Sequence, residues 1–205
     1  MIALIDYQAG NLTSVKKALG AVGAEVFVPQ TPDDLSRAGA IIVPGVGHFQ
    51  ATGALNQPWI DAILDRVGDG HPLLGICLGM QWLYESSDEA PQLRGIGLLP
   101  GRCVRLGTSS GPGEQAVKVP HVGWNTLSIR SGEAWITDGV PDQAHVYFTH
   151  SYIAPVTGDT IASSEHGAAF AAVVQRSHVA GVQFHPEKSG DVGLQILRNF
   201  VSMAG

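Results

Sequence analysis

The first half of the chain alternates short apolar runs with segments in which apolar residues recur at helical spacing. The i, i+3, i+4, i+7 spacing of an amphipathic helix occurs in two segments, 15–22 and 60–67. Short apolar runs that predict strands occur at 2–5, 26–28, 40–43 and 73–76, and the last of these leads directly into a predicted helix at residue 78. Such alternation of strands and helices predicts a mostly parallel central sheet with helices on both faces.

From about residue 102 the pattern changes to the alternation of apolar and polar residues that is typical of exposed strands. Predicted strands lie at 103–106, 146–148, 169–174 and 179–184, and the spacing of Leu194, Leu197 and Val201 predicts a final helix. Residues 107–115 are rich in Gly, Ser and Pro and predict an exposed loop that is too short to be a domain linker. We therefore expect one α/β domain over residues 1–205, with antiparallel strands added in the second half.

Composition narrows the range of partners. The chain of 205 residues is 44% hydrophobic, has a formal net charge of −6, and its 12 Lys and Arg residues are scattered. The absence of a basic stripe argues against nucleic acid and anionic membranes as partners. The start of the sequence lacks a cationic signal region, and no uncharged apolar run approaches the roughly 20 residues that span a bilayer. We expect a soluble, cytoplasmic protein.

The two cysteines occupy different sequence contexts. Two reduced thiols are the simplest interpretation, although counting alone leaves a single disulfide open. Cys77 lies in GICLGMQ, between a predicted strand and a predicted helix, with glycines two residues to either side. This layout matches the tight turn that lifts a nucleophile above a sheet, where a helix N-terminus favours the thiolate. A buried structural cysteine is the alternative. Cys103 lies in an alternating strand without flanking glycines, which is typical of an inert thiol.

A thiol nucleophile needs a base, and the base needs a group that orients it. Of the histidines, His185 in GVQFHPEKSG has the most favourable context, because it ends a predicted strand and Pro186 forces a turn there. Glu187 is placed to reach back to the imidazole and fix its tautomer. A surface turn with a solvated His and Glu is the alternative.

A third element is the sequence PGVG at the end of the predicted strand 40–43. Backbone N–H groups of Gly45, Val46 and Gly47 are candidates for an oxyanion hole, although an ordinary strand-to-helix turn has the same composition. In a parallel sheet the turns after the carboxyl ends of strands meet at one edge. We therefore expect this turn, Cys77 and His185 to lie together.

Six segments, in this order, resemble the class I glutamine amidotransferases, a family with a Cys-His-Glu triad. GICLGMQ (75–81) and GVQFHPEKSG (181–190) are similar to the general motifs of the family. DYQAGN (6–11), PGVGHF (44–49), PHVGWN (120–125) and YFTHSY (147–152) resemble more narrowly the glutaminase subunits of imidazole glycerol phosphate synthases, which act in histidine biosynthesis. The resemblance spans nearly the whole chain and implies the three-layer α/β fold of the family.

The resemblance also implies roles for individual residues. Cys77 would attack the side-chain amide of L-glutamine, His185 would protonate the departing ammonia and later activate water, and Glu187 would orient His185. The turn at 45–47 would stabilise the oxyanion, after a peptide rearrangement prompted by a partner. The implied glutamine-binding residues are Gln81, Glu89, His150, Ser151 and Tyr152. No cofactor and no metal are implied.

The same resemblance implies a partner, a cyclase subunit with a (β/α)₈ barrel that receives the ammonia in a heterodimer. The chain itself carries no G-x-x-x-x-G-K-[ST] loop that would activate an acceptor. The predicted docking residues are Asn11, His121, Trp124, Asn125 and Lys188, with Trp124 expected in a turn. Gln8 stands where the family usually has glycine, and Thr149 stands where an apolar residue is commoner.

Two alternatives to this function remain open at the level of sequence. One is a glutaminase that serves another acceptor, such as pyridoxal phosphate synthase, against which PHVGWN and HPEKSG argue. The other is a cysteine hydrolase, a chaperone-like protein with the same turn, or a catalytically silent binding module. The pairing of Cys77 with His185 and Glu187 argues against silence.

Overall fold

The computed structural model describes residues 1–107, 117–130, 132 and 134–204, so the predicted loop at 107–115 lies outside the described residues apart from Gly107. The α-helices are α1 (Leu12–Ala21), α2 (Gln57–Gly68), α3 (Leu78–Trp82) and α4 (Gly190–Met203). The strands are β1 (Ile2–Leu4), β2 (Val26–Phe27), β3 (Ala40–Gly45), β4 (Leu73–Cys77), β5 (Ser86–Ser87), β6 (Arg102–Arg105), β7 (His121–Thr126), β8 (Ser128–Ile129), β9 (His145–His150), β10 (Tyr152–Ile153), β11 (Thr160–His166), β12 (Ala168–Arg176) and β13 (Val179–Val182).

A large mixed sheet forms the centre of the described structure. Its strand order is β2-β1-β3-β4-β13-β12-β11-β8, and its first five strands are parallel whereas the remaining pairs are antiparallel. Two smaller sheets, β10-β6-β5 and the antiparallel ribbon β7-β9, lie beside it. The predicted α/β class, with a parallel half followed by an antiparallel half, is confirmed.

The two faces of the central sheet bury separate apolar clusters. Along β1, Ile2 and Leu4 pack in the cluster that includes side chains of α1 and α4, whereas Ala3 and Ile5 pack in the cluster that includes side chains of α2 and α3. Side chains alternate in this way because successive residues of a strand point to opposite faces. The near-continuous apolar runs in the sequence follow from burial on both faces.

The connection from β4 to α3 depends on the two glycines that flank Cys77. A Cβ atom on Gly75 would lie 2.6 Å from the carbonyl oxygen of Gly79, and a Cβ atom on Gly79 would collide with the carbonyl oxygen of Val43. The backbone of α3 therefore packs directly on the sheet, which only glycine permits.

Gly79→Ala is expected to lower the free energy of unfolding by about 1–3 kcal/mol or more, because its methyl group collides with rigid backbone. Gly20→Ala is the matched control, since Gly20 lies in helix α1 and no atom lies within 4 Å of the position that its Cβ atom would take. That substitution is expected to be neutral or to stabilise by up to about 1 kcal/mol. Equal denaturation midpoints for the two variants would contradict the packing described here.

Five strands of the described structure have no counterpart in the sequence prediction: β5, β8 and β10, which span two residues each, and the longer β7 and β11. Trp124 was expected in a turn, but it lies in strand β7 (His121–Thr126), which also contains Gly123 at φ 139°. Gly123 prevented the prediction of this strand, because glycine is depleted from strand interiors. Strand β11, with the sequence TIASSEH, is too polar to give an apolar signal, and it is held by pairing with β12 and β8. Within the described residues, no helix is long and apolar enough to cross a membrane.

Candidate active site

The backbone at Cys77 is held in an uncommon conformation. Cys77 ends β4 and has φ 53° and ψ −104°, a positive φ that non-glycine residues rarely adopt. The strand ends and α3 begins within one residue, so the chain can only make the turn by this conformation. Strain of this kind is concentrated at functional sites and is the expected geometry of a nucleophile on a sharp strand-to-helix turn.

His185 and Glu187 form a buried pair three residues after the end of β13. The Nδ1 atom of His185 lies 2.8 Å from Oε1 of Glu187, and both side chains are only 2% exposed. The short 3₁₀ turn Pro186–Lys188 returns Glu187 to the imidazole, and the backbone N–H of His185 donates to the Tyr147 carbonyl at 2.9 Å. The predicted pairing is therefore present, and the alternative of a solvated surface turn is wrong.

The environment of His185 favours its protonated form. Burial lowers the pKa of His185, but interactions with Cys77 and with the Glu187 carboxylate outweigh burial and raise this pKa to about 9. Because Glu187 takes Nδ1, the Nε2 atom is the ring nitrogen that remains for Cys77, and it has no hydrogen-bond partner in the described structure. The ring can thus hold a proton beside the sulfur at neutral pH.

A cavity of about 250 Å³ opens beside Cys77. All five residues predicted to bind glutamine line it together with Cys77, and the full lining is Gly47, Cys77, Leu78, Gln81, Glu89, Pro120, Thr149, His150, Ser151 and Tyr152. The structure therefore gathers these residues, which come from distant parts of the sequence, around one space. Glu89 is fixed there by its carboxylate, which accepts a hydrogen bond from the Phe49 N–H at 2.7 Å.

Gln81 lies on helix α3 but is buried, and it is not a solvated surface residue. Its Nε2 atom donates to the Tyr152 carbonyl at 2.9 Å and to Oε1 of Gln183 at 3.0 Å. Gln183 in turn donates from Nε2 to the sulfur of Cys77 at 3.7 Å, and the thiol donates to the Thr149 carbonyl at 3.8 Å. Sequence reasoning missed Gln183, although a glutamine between Val182 and Phe184 in a fully buried segment was a usable signal.

The predicted oxyanion turn lies beside the nucleophile, because Gly45 pairs with Cys77 across β3 and β4. Gly47 lines the cavity. The N–H of Val46, however, donates to the Ala9 carbonyl at 2.5 Å and is therefore engaged away from the cavity. Within α3, the first amides after Cys77 have no carbonyl partner in their own helix, which leaves them as further donors near the sulfur.

The predicted docking residues separate into two groups. Trp124 is 57% exposed and Lys188 is exposed, with its Nζ atom 5.7 Å from the centre of the Tyr147 ring. Asn11 is also exposed and caps α1 by accepting from the Ser14 N–H. His121 is only 4% exposed and Asn125 is half-buried, since they point to the inner face of β7. The isolated chain therefore leaves little of the His121 side chain exposed for a partner, and its role at the interface stays a prediction.

His121 and His150 make the folded chain sensitive to acid. Burial, together with the neighbouring histidines, lowers the pKa of His121 from 6.5 to about 4 and that of His150 from 6.5 to about 3. Between those values and 6.5 the unfolded chain binds more protons than the folded chain, so their contribution to stability falls as the pH falls through this window.

Denaturation at pH 7, 6 and 5 should therefore show a declining free energy of unfolding, with a slope approaching about 1.4 kcal/mol per pH unit for each of the two residues. Near pH 7 the decline is partly offset by His185, because its raised pKa contributes a slope of the opposite sign. His150→Asn should reduce the slope, whereas substitution of the exposed His145 should leave it intact. A stability that is constant from pH 7 to 5 would contradict the burial of neutral imidazoles.

Comparison with known proteins places this geometry in a family. Residues 3–204 match the glutamine amidotransferase class-I family. The chain is 44% identical to the imidazole glycerol phosphate synthase subunit HisH of Halalkalibacterium halodurans, an alignment that covers 99% of this chain and 96% of the relative. The same-named subunits of Bacillus subtilis (45%, covering 100% and 97%) and Methanothermobacter thermautotrophicus (41%, covering 99% and 98%) are similarly close.

Solved structures share the fold at lower identity. A crystal structure of a glutamine amidotransferase superposes with a TM-score of 0.75 at 21% identity, covering 100% of both chains. A chain from the structure of PurLQS from Thermotoga maritima superposes with a TM-score of 0.75 at 17% identity, covering 98% of this chain and 97% of the other. The strained Cys77, the His185–Glu187 pair and the full-length matches agree, and the chain belongs to the glutamine amidotransferase class-I family.

Proposed function

We propose that this chain is the glutaminase subunit of an imidazole glycerol phosphate synthase in histidine biosynthesis. The observation that carries the proposal is the arrangement at one edge of the sheet. A cysteine on a strained turn, a His-Glu pair and a cavity lined by Gln81 and Tyr152 lie together there. Near full-length similarity to proteins named HisH selects this synthase over pyridoxal phosphate synthase.

The first half of the reaction forms a thioester. Once its proton is on Nε2 of His185, the Cys77 thiolate attacks the side-chain amide carbon of glutamine, and the carbonyl oxygen becomes an oxyanion. The proton on Nε2 of His185 passes to the amide nitrogen, the C–N bond breaks, and ammonia leaves. The raised pKa of His185 keeps that proton available at neutral pH.

The second half releases glutamate. His185, now neutral, takes a proton from a water molecule, whose oxygen attacks the thioester carbon. The C–S bond breaks, glutamate departs, and the thiolate and the imidazolium are restored. Throughout the reaction Nδ1 of His185 keeps its proton, because it donates a hydrogen bond to Glu187. Nε2 is therefore the nitrogen that exchanges protons with the reactants.

The ammonia is proposed to pass to a cyclase subunit with a (β/α)₈ barrel. The docking surface is the outer face of the β7-β9 ribbon, formed by Val122, Trp124 and Tyr147, together with Lys188 from the adjacent 3₁₀ turn. Val122 and Trp124 are 56% and 57% exposed, which is unusual for large apolar side chains placed side by side. The same ribbon contributes Thr149 and His150 to the cavity, so a partner seated there lies next to the site of ammonia release.

Coupling to the partner follows from the state of the oxyanion turn. Since the Val46 N–H is bonded to Ala9, the isolated chain lacks one of its predicted oxyanion donors. Glutamate release from glutamine should therefore be slow in the isolated chain and strongly stimulated by the cyclase subunit with its nucleotide substrate. Vigorous glutaminase activity in the isolated chain would contradict this coupling.

Trp124→Ala should weaken the heterodimer by about 2 kcal/mol, or roughly 30-fold in Kd, because a central exposed aromatic residue is a typical hot spot. The thermal midpoint of the isolated chain should stay unchanged, since more than half of the side chain is exposed. Val156→Ala is the matched control, an exposed apolar residue in the segment between β10 and β11. A lowered thermal midpoint with normal affinity would assign Trp124 to the core instead.

A further inference from the structure

A continuous line of hydrogen bonds connects the docking strand β7 to the glutamine cavity. Nδ2 of Asn125 lies 3.4 Å from Nε2 of His121, Nδ1 of His121 lies 3.1 Å from Nε2 of His150, and Nδ1 of His150 lies 3.1 Å from the carbonyl oxygen of Tyr152. His121 is absent from the lining of the cavity, whereas His150 and Tyr152 belong to it. The His121 side chain therefore reaches the cavity through His150, whereas its backbone continues into Pro120, which lines the cavity.

Only one arrangement of protons satisfies all three contacts. A carbonyl oxygen accepts only, so Nδ1 of His150 carries its proton and its Nε2 is an acceptor. Nδ1 of His121 must then donate to that acceptor, which leaves its own Nε2 to accept from the Asn125 amide. Both rings are neutral in this arrangement, and each ring fixes the tautomer of the next.

The Tyr152 carbonyl is the point where this line meets the catalytic residues. It also accepts from Nε2 of Gln81 at 2.9 Å, and Gln81 is bonded to Gln183, whose amide donates to the Cys77 sulfur. A shift of the carbonyl would therefore rotate the Gln81 amide and disturb its contact with Gln183. Buried polar networks of this kind are stable only when every member is satisfied.

The His121 ring is packed between two aromatic rings, and no carboxylate is among the groups that act on its pKa. Its ring stacks between Phe148 (centroids 4.9 Å apart, 22° between planes) and His166 (4.2 Å, 14°). In the described structure, His166 from β11 is the titratable group that acts on His121, and His121, His166 and His185 are those that act on His150. No carboxylate is among them, and burial lowers both pKa values, which keeps the rings neutral at physiological pH.

We infer that His121 is a positioning residue for glutamine binding, which holds the tautomer of His150 and thereby the Tyr152 carbonyl and the Gln81 amide. This inference rests on the proposed function for its kinetic consequence, but the proton arrangement is a property of the chain alone. Without the donor from His121, Nε2 of His150 is left as a buried acceptor with no partner, and only the Tyr152 carbonyl still favours the proton on Nδ1. The His150 ring is then free to shift or to take the other tautomer, which sets a lone pair against that carbonyl. The carbonyl then moves, and glutamine binds more weakly.

Two variants of His121 separate a donor from a packing residue. His121→Phe keeps the stacked ring but removes the donor, whereas His121→Asn removes the ring but keeps an amide N–H close to the position of Nδ1. In the complex with the cyclase subunit from the same organism, His121→Phe should raise the KM for glutamine about tenfold with a smaller change in kcat, and His121→Asn should recover most of that loss. A Phe variant with normal KM and an impaired Asn variant would assign the residue to packing and overturn the inference.

A second readout does not need activity. Long-range ¹H–¹⁵N NMR spectra of the full-length isolated chain should show both rings neutral at pH 6 and protonated on Nδ1, and His150 in the Phe variant should show a mixture of tautomers. His150 protonated on Nε2 in the wild type would overturn the inference whatever the kinetics show. Absence of glutaminase activity in the wild-type complex would instead refute the proposed function, and the spectra alone would then decide the role of His121.

Discussion

Cys77→Ala should abolish glutamate release, with a loss of about 10⁵-fold or more in kcat. The sulfur is the only nucleophilic side-chain atom that the turn between β4 and α3 presents to the cavity, and alanine leaves no atom to form the thioester. Alanine at this position keeps the side-chain volume small and adopts the same strained backbone at a cost similar to that of cysteine. The loss should therefore be confined to chemistry, with an unchanged thermal midpoint.

Cys103→Ala is the matched control for this experiment. Cys103 is fully buried, its thiol donates to the Gln81 carbonyl at 3.8 Å, and burial raises its pKa well above the usual range. A neutral, enclosed thiol is a poor nucleophile, so the variant should lose some stability but retain activity. An equal loss of activity in both variants would indicate that the substitutions act by disturbing the structure. Activity retained in Cys77→Ala would show that Cys77 is not the nucleophile.

Glu187→Gln should lower kcat by about 10²–10⁴-fold, the range contributed by general acid-base catalysis. The carboxylate accepts a hydrogen bond from Nδ1–H of His185, with 2.8 Å between Nδ1 and Oε1, and stabilises the imidazolium form. A glutamine side chain fills the same space without the charge, and its amide can present a donor to Nδ1, which would select the wrong tautomer. Binding of glutamine should change much less than kcat, because Glu187 does not line the cavity.

The pH profile gives the sign of this effect. The carboxylate is one of the groups that raise the pKa of His185 to about 9, so its removal lowers that pKa. The alkaline limb of kcat/KM, where the acid loses its proton, should therefore move to lower pH in Glu187→Gln. Glu89→Gln serves as the comparison, since Glu89 lines the cavity but makes its hydrogen bond to the Phe49 N–H. A limb that stays in place in Glu187→Gln would show that His185 is not the acid.

Those parts of the site that depend on turn-forming residues and on the order of parallel strands could be predicted from the sequence. Glycines on both sides of Cys77 predicted a tight turn after a strand, and the structure explains them through the close approach of α3 to Val43. A proline after His185 predicted that the strand ends there, which left Glu187 free to return to the ring. Parallel strands then brought these turns to one edge, as their order in the sheet requires.

The parts that escaped prediction depend on long-range contacts. No local pattern indicates that the Val46 N–H bonds to Ala9, since the two residues meet only when β1 and β3 pair. The His121 side chain points inward because β7 is a strand. Gly123 interrupts the apolar and polar alternation of that strand, so the alternation did not predict it. The hydrogen bonds from Gln81 to Gln183 and from Gln183 to the Cys77 sulfur join α3 to the segment after β13. Residue spacing in the sequence does not predict such long-range contacts.

The most direct test of the central claim is the detection of a glutamyl thioester on Cys77. The complex with the cyclase subunit is mixed with glutamine, quenched in acid at a series of times during turnover, digested and analysed by mass spectrometry. We expect the adduct on the peptide that carries Cys77 and none on the peptide that carries Cys103. Turnover with no adduct on Cys77 at any quench time, or an adduct on Cys103, would contradict the mechanism.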